Sequence, residues 1–332
     1  MALSQTELIR SDDDPSVPSR PAASPGSTAP RRARRSLGPR LLPYWMLAPA
    51  VIVLALVLGY PLVRLGIMSL QEFGLRQQFG ARPPFVGIEN FRTIFTDSYF
   101  WDVLWRTVIF CAVNVALTMS LGMAIAVLLG RLGRWMKLAV GTSLLLAWAM
   151  PALTATVVWQ WLFDTQYGFF NWVLTSLGAE SYQGHSWLSA PISFFSVATI
   201  IVVWMGVPFV AFTLHAGLTQ VPSEVLEAAE MDGAGGWQRF RLVSFPMVKP
   251  IVMILTALSV LWDFRVFTQI YVLQRAGGIN RETNLLGVYA YRISIGENRF
   301  DVGAAVALVM VTLTILLTLV YLRQMLRHDE VV

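Results

Sequence analysis

Glu227-Ala228-Ala229-Glu230-Met231-Asp232-Gly233 is a charged stretch that stands between two long apolar runs, residues 191–218 and 250–273. Each run reaches the length of about 20 residues that an apolar helix needs to cross a bilayer. The charged stretch between them is therefore predicted to lie outside the bilayer.

The length of this polar segment suits one short helix, a turn and a second helix. Gly233 is the predicted turn, because glycine adopts the left-handed backbone that a reversal needs. Pro222 fits the first position of the first helix, where its missing N–H costs nothing. The helical spacing resumes at Trp237, and Pro246 is expected to end the second helix.

Four further apolar runs extend the pattern to both ends of the chain. Hydrophobic residues make up 55% of the 332 and charged residues only 14%, with a mean hydropathy of +0.58, which is typical of a polytopic membrane protein. The predicted fold is therefore all-α, with six transmembrane helices. The four further runs are residues 41–63, 107–130, 138–163 and 302–322.

The positions of the basic residues predict the orientation of the chain. Residues 1–40 are rich in Ser, Pro, Ala and Arg and are predicted to form a disordered cytoplasmic tail before a membrane domain at residues 41–328. Basic residues at 131–137 and after the last span place both termini in the cytoplasm. Segment 274–300 breaks this trend unless its arginines serve binding. They are Arg275, Arg281, Arg292 and Arg299.

Several classes of function find no support in the sequence. Neither Lys137 nor Lys249 completes a phosphate-binding loop, so an energy source must come from another polypeptide. The single cysteine, Cys111, lies in an apolar run and offers no disulfide, and the three histidines are far apart. We expect no enzyme activity, no metal, no cofactor in this chain and no nucleic-acid partner.

Polar side chains at membrane depth are the candidates for a solute pathway. Asp263 and Arg265 are charged residues within the run 250–273, where a charge normally faces a cavity or a partner. They lie two residues apart and hence on different helix faces, so they are not expected to pair. Structural contacts between helices are the alternative role. The full candidate set is Asn114, Thr154, Gln160, Trp262, Asp263, Arg265, Thr268 and Gln269.

The charged stretch has the spacing of a known motif. Glu227-Ala228-Ala229, three residues, Gly233, nine residues and then Val243-x-Phe245-Pro246 resembles the EAA motif of binding-protein-dependent ABC importers. Three other stretches resemble the sugar-importing, maltose-type permease subunits: Leu47-Ala48-Pro49, residues 85–91 and residues 168–172. Gly277-Gly278 lacks the proline that usually follows it in that branch.

The resemblance implies a type I importer permease of the MetI-like fold in the bacterial cell membrane. It implies four kinds of partner: the lipid bilayer, a second homologous permease, two cytoplasmic ATPase subunits that bind ATP and Mg, and an extracytoplasmic solute-binding protein. In that family the EAA helix sits in a groove on the ATPase, so we call residues 219–247 the coupling segment. The predicted coupling residues are Glu227, Ala228, Ala229, Asp232, Gly233, Arg239, Phe245 and Pro246.

The function predicted from the resemblance is import of a sugar or oligosaccharide by alternating access. One alternative keeps the machinery but imports glycerol phosphate or another small solute, whose anionic group would suit Arg265 and the arginines of 274–300. Another is an ion-coupled secondary transporter, for which only Asp263 and Arg265 offer ion ligands. The last is a membrane scaffold without a transport role.

Overall fold

A computed structural model describes residues 38–329, and about four fifths of these residues are helical. Residues 1–37 of the tail predicted at 1–40 lie outside the described residues, so the disordered tail stays a prediction. The only β pairing within 38–329 is an isolated bridge between Gln71 and Phe85. The helices are α1 Gly38–Leu54, α2 Tyr60–Ser69, α3 Leu75–Gln78, α4 Glu89–Thr96, α5 Ser98–Arg131, α6 Arg134–Ala149, α7 Ala152–Leu162, α8 Phe169–Ser176, α9 Pro191–Leu218, α10 Ser223–Met231, α11 Gly236–Arg239, α12 Phe245–Asp263, α13 Thr268–Arg275, α14 Asn280–Thr283, α15 Leu286–Tyr291 and α16 Phe300–Asp329.

The described residues contain five helices that are long and apolar enough to cross a membrane, or six if one bent pair counts as a span. This confirms the all-α, multi-span prediction. The contacts divide the chain into two units, the first ending with α1 at Leu54 and the second beginning at Ala55. The five spans are Trp45–Ser69, Ser98–Arg131, Pro191–Leu218, Gly236–Arg275 and Phe300–Arg323.

The bent pair corrects the prediction of an uninterrupted apolar span at 138–163. α6 and α7 meet at an angle of 105° around Met150 and Pro151. Met150 has an extended backbone, with φ −74° and ψ 127°. Proline disfavours the helical conformation of the residue before it, and at Met150 this preference is realised, so α6 ends before Pro151 although hydropathy does not change there.

Two proline assignments in the coupling segment were also wrong. Pro222 is the N-cap of α10, so the first helical residue is Ser223. Pro246 does not end a helix: it lies in the first turn of α12, directly after a π-helical turn at Phe240–Ser244. The π-helical turn replaces the i→i−4 hydrogen bonds of an α-helix by i→i−5 bonds just before Pro246, so the missing N–H of the proline falls where the α-helical bonding is already interrupted.

α9 is the central helix of the second unit. It is apolar on all sides, and its side chains are buried by neighbours on several faces, as expected for a helix in the middle of a bundle. Phe194 and Ile201 pack against Ile270 of α13, while Leu214 packs against Leu255 of α12. The C-terminal end of α9 therefore leads into the coupling segment, and its N-terminal half packs against α13, which carries candidates for the solute pathway.

α5 is the helix that crosses α9 most closely. A Cβ atom added at Gly122 of α5 would lie 2.5 Å from Cγ1 of Val210 on α9. Gly206 of α9 likewise faces Thr118 of α5, with the added Cβ 3.1 Å from Cγ2. Small residues let membrane helices approach in this way, so α5 and α9 form a closely packed pair within the second unit.

Candidate functional site

The coupling segment folds as a helical hairpin with no core of its own. No residue from Val221 to Met247 is buried, and the first buried residue after them is Val248. A segment that projects from two spans without a core must obtain its shape from local hydrogen bonds or from a partner.

The turn between α10 and α11 is built by backbone hydrogen bonds around Gly233. The N–H of Ala234 donates to the carbonyl of Ala229 at 2.9 Å, and the N–H of Gly233 donates to Glu230 at 3.0 Å. Gly233 has φ +83°, the left-handed conformation that such a C-terminal helix turn requires. The turn predicted at Gly233 is therefore present in the structure.

An ion pair closes the hairpin across the turn. Arg239, at the end of α11, donates from its guanidinium to the carboxylate of Glu230 on α10. Sequence reasoning included Arg239 but missed Glu230. The signal was available, because Glu230 lies one helical turn after Glu227 and so shares its exposed face.

The predicted coupling residues lie together on this hairpin and its exit. Ala229 and Arg239 are half-buried, and the other six are exposed. Three aromatic rings brace the exit: Phe240 stacks on Trp237 at 5.6 Å between ring centroids and lies 6.1 Å from Phe245. The hairpin therefore presents a defined surface around its turn and exit.

Apolar side chains are unusually exposed on the same hairpin. Met231 at the end of α10 is 87% exposed, Trp237 is 70% exposed and Leu242 is 69% exposed. Together with the charges of Glu227 and Asp232, they form a mixed apolar and acidic surface around the turn. Large exposed apolar side chains of this kind mark a surface that another protein or the bilayer covers.

Two of the polar candidates at membrane depth lie in one cavity. Gln160 of α7 and Thr268 of α13 line a cavity of about 340 Å³ that also contains Tyr271 and Arg275. The ring of Tyr271 stacks on Phe267, with 5.4 Å between ring centroids. Hydrogen-bonding side chains beside aromatic faces suit a neutral polar ligand with apolar ring faces.

Asn114 and Asp263 are buried between helices instead. Asn114 is completely buried in α5 and donates to the carbonyl of Phe110 at 2.7 Å. Asp263 is the last residue of α12. One side-chain oxygen of each, Oδ1 of Asn114 and Oδ2 of Asp263, has no hydrogen-bond partner among residues 38–329. These orphaned acceptors require a donor such as water or a bound molecule.

The remaining four candidates point to different places. Thr154 is exposed on α7, and Gln269 donates to the sulfur of Met205 at 3.7 Å. Trp262 lies 5.2 Å from Phe209, measured between ring centroids. Arg265 lies in the break between α12 and α13, where its Nε donates to a backbone carbonyl at 3.1 Å. The eight candidates therefore do not form a single site.

The segment 274–300 is held by a polar network that sequence reasoning missed. Gln274 is buried; it donates to Asn284 Oδ1 at 3.1 Å and accepts from Arg292 at 3.0 Å. The guanidinium of Arg281 lies 5.4 Å from the ring centroid of Tyr99. Two arginines of this segment therefore have structural contacts, which gives them a role without any bound ligand.

Comparison with known proteins places this geometry in a family. The model of the family "Binding-protein-dependent transport system inner membrane component" matches residues 121–329, which include α6 to α16 and the whole coupling segment.

Several named relatives match over most of the chain. The diacetylchitobiose uptake system permease protein DasB of Streptomyces coelicolor is 41% identical, covering 97% of this chain and 98% of that protein. The sulfoquinovosyl glycerol transport system permease protein SmoG of Agrobacterium fabrum is 34% identical, covering 86% and 91%. The trehalose/maltose transport system permease protein MalF of Thermococcus litoralis is 32% identical, covering 85% and 92%.

A solved structure shares the fold. A chain of a bacterial ABC transporter involved in the import of the acidic polysaccharide alginate superposes with a TM-score of 0.74, at 19% identity, covering 87% of this chain and 96% of that one.

Proposed function

Because this chain belongs to the family of binding-protein-dependent transport system inner membrane components, we propose that it is the permease subunit of an ATP-driven importer of a sugar or oligosaccharide. As a family member it is a non-catalytic, multi-pass transport subunit of the bacterial inner membrane. The proposal adds the solute class, the orientation of the chain and the assignment of its partners.

The coupling segment is the observation that carries the proposal. It is an exposed hairpin between two spans, α9 and α12, and it has no buried residue from Val221 to Met247. We assign it to the cytoplasm, with both termini on the same side. Cytoplasmic ATPase subunits would cover the surface around Glu227, Ala228 and Gly233, so that the energy of ATP enters the chain there.

The hairpin is connected directly to the solute-pathway helices. α12 begins at the hairpin exit and ends at Asp263, and α13 follows after a short break. A movement of the hairpin would therefore be transmitted along α12 towards the cavity lined by Gln160 and Thr268. This is the rigid-body form of alternating access, in which a second, homologous permease supplies the opposite wall.

The names of the relatives support the carbohydrate class. DasB is named for uptake of diacetylchitobiose, and SmoG and MalF are named for transport of sulfoquinovosyl glycerol and of trehalose or maltose. The aromatic and amide side chains of the α7–α13 cavity suit the apolar faces and hydroxyl groups of such solutes. An extracytoplasmic solute-binding protein would deliver the sugar to the side of the membrane opposite the hairpin.

Site-directed cross-linking tests the partner assignment. Cys111 is the only cysteine in the sequence and is buried, so an introduced thiol reports on its own position. We expect Glu227→Cys to cross-link to the ATPase subunit in the assembled transporter. Leu177→Cys is the matched control, because Leu177 is 80% exposed in the segment assigned to the other side of the membrane. Cross-linking of Leu177→Cys but not Glu227→Cys would overturn the orientation.

Uptake into proteoliposomes tests the solute class. The chain, reconstituted with its partner subunits and solute-binding protein, is expected to accumulate a labelled di- or oligosaccharide only when ATP is supplied to the ATPase. Uptake driven by an ion gradient without ATP would contradict the mechanism. ATP-dependent uptake of glycerol phosphate without any carbohydrate would retain the mechanism and overturn the solute class.

A further inference from the structure

A groove between α6 and α9 is not used by the transport proposal. It has a volume of about 770 Å³, and its lining changes from basic at the start of α6 to apolar further along. Its basic residues are Arg134 and Lys137, and its apolar part is formed by Leu138, Gly141 and Leu145 of α6 with Phe212 of α9.

Lys137 is held in the groove by a histidine of α9. Nδ1 of His215 lies 3.2 Å from the carbonyl oxygen of Ala126, and its Nε2 lies 3.4 Å from Nζ of Lys137. A carbonyl only accepts, so Nδ1 of His215 donates and Nε2 accepts from the lysine. An ammonium group carries three donors, so this contact leaves two of them for a ligand.

The basic end of the groove has no acidic partner among the residues that the structure describes. The sequence contains no Asp or Glu at residues 121–149 or 191–218, which form both walls. The ion pairs found among residues 38–329 involve neither Arg134 nor Lys137. An anion is therefore the ligand that complements the charge of this end.

The apolar end has the shape of a slot along one helix face. Leu138 and Leu145 lie seven residues apart on α6 and are 59% and 53% exposed, and Gly141 lies between them. The only atom within 4 Å of a Cβ added at Gly141 would be Cε1 of Phe212, at 3.8 Å. The slot runs about 10 Å along the helix axis, a length that suits a segment of a fatty acyl chain.

The basic end lies at the level of a membrane interface. Trp135 is 77% exposed, and its ring centroid lies 6.0 Å from the guanidinium carbon of Arg134. Exposed tryptophan next to basic residues at a helix end is typical of the headgroup layer of a bilayer. The basic end of the groove therefore opens at headgroup level, and the slot continues into the hydrocarbon.

We propose that this groove binds an anionic phospholipid, with the phosphate at Arg134 and Lys137 and an acyl chain along the slot from Leu138 to Leu145. A free anion would leave the slot empty, and an apolar helix of a neighbouring subunit would leave both positive charges unpaired. Basic pockets between transmembrane helices bind anionic headgroups in this way. The proposal requires only that the chain spans a bilayer and is independent of the solute.

Lipid titration of the intact transporter, followed by native mass spectrometry, tests the proposal. We expect phosphatidylglycerol to bind more tightly than phosphatidylcholine with the same acyl chains. Arg134→Gln and Lys137→Gln should each weaken phosphatidylglycerol by about fivefold, and the double variant by about 25-fold, as expected for basic residues near a lipid surface. Lys249→Gln is the matched control, since Lys249 is exposed and lies outside the groove, and it should retain the affinity.

A second variant separates lipid binding from simple charge attraction. Gly141→Leu fills the slot without changing the charge, and we expect it to weaken phosphatidylglycerol by at least about fourfold, the effect of excluding one buried CH2 group of the acyl chain. If this variant fails to fold, Leu145→Ser tests the same slot. Unchanged affinity in the folded slot variant, displacement of the lipid by inorganic phosphate, or equal binding of both lipids would each overturn the proposal. The proposal would also be overturned if the isolated chain bound lipid and the intact transporter did not, because a partner subunit would then cover the groove.

Discussion

Replacement of Gly233 by valine tests whether the hairpin turn transmits energy. Gly233 has φ +83°, and a Cβ added there would meet no atom within 4 Å. The cost of the substitution is therefore confined to the backbone. A β-branched residue in this conformation costs about 2 kcal/mol, which is enough to lower the population of the intact turn about 30-fold.

The expected result is a transporter that inserts and folds but is uncoupled. Opening the turn separates the hydrogen bond from Ala234 to Ala229 and displaces Glu230 from Arg239, so the hairpin loses both of its local constraints. ATP-dependent uptake into proteoliposomes should then fall by up to about 30-fold, in proportion to the loss of the intact turn. The thermal unfolding midpoint should stay close to that of the wild type, because no residue of the hairpin is buried.

Two further substitutions distinguish backbone strain from other effects. Gly233→Asn should retain most of the uptake, since asparagine tolerates the left-handed conformation. Gly235→Ala is the matched control, because Gly235 has φ −65° and an added Cβ would meet only Gln238 Oε1, at 3.8 Å. Wild-type uptake by Gly233→Val would refute the argument, as would an equal loss in all three variants.

Three other predictions concern the spans and the segment at 163–190. Gly122→Ala should lower the thermal unfolding midpoint by forcing α5 from α9, at a cost of about 1–3 kcal/mol, and Val210→Ala in the same chain should restore part of it; no shift would contradict the close approach. Hydrogen bonds from the backbone N–H groups of Tyr167 and Gln166 to the Asp164 carboxylate hold the pKa of Asp164 below its usual range. They therefore stabilise this turn above the unfolded-state pKa of about 4 and are lost as the pH falls through the lower folded-state value. The amide-exchange protection factors of the turn, corrected for the intrinsic pH dependence of exchange, should therefore fall on acidification, but not in Asp164→Asn. Asp263→Asn should raise the unfolding midpoint, since it removes a buried charge whose Oδ2 has no partner among the described residues; a lower midpoint would show that the charge is compensated.

Hydropathy alone was enough to predict α5, α9 and α16, because each is an apolar run without an internal break in the helix. The same measure failed at residues 138–163, where Pro151 breaks the run without changing its hydropathy. The restriction that proline places on the preceding residue marks Pro151 as a possible break, but it marks Pro208 and Pro250 equally, and those lie inside α9 and α12. The angle of 105° at the break depends on tertiary packing and was not accessible from the sequence.

The same proline rule gave the wrong answer at Pro246. Proline ends a helix only when its ring and its missing N–H fall in the helix interior. In the first turn of α12 both are tolerated, and the π-helical turn at Phe240–Ser244 supplies the change of hydrogen-bond pattern. By contrast, the turn at Gly233 was predictable, because it needs a backbone conformation that glycine adopts without strain.

The solute pathway could be predicted only in part, for a reason that follows from the α6–α7 bend. Gln160 meets Thr268 because α7 leaves α6 at 105° and runs beside α13, which no local sequence pattern encodes. Asp263 and Arg265 were singled out because charges are rare at membrane depth. The structure explains their position, because Asp263 is the last residue of α12 and Arg265 lies in the break after it. A helix break exposes backbone polar groups, so charged side chains are less costly beside it than within a continuous span. The two charges inside the apolar run 250–273 of this chain are therefore better interpreted as markers of a helix break than, by themselves, as markers of the solute.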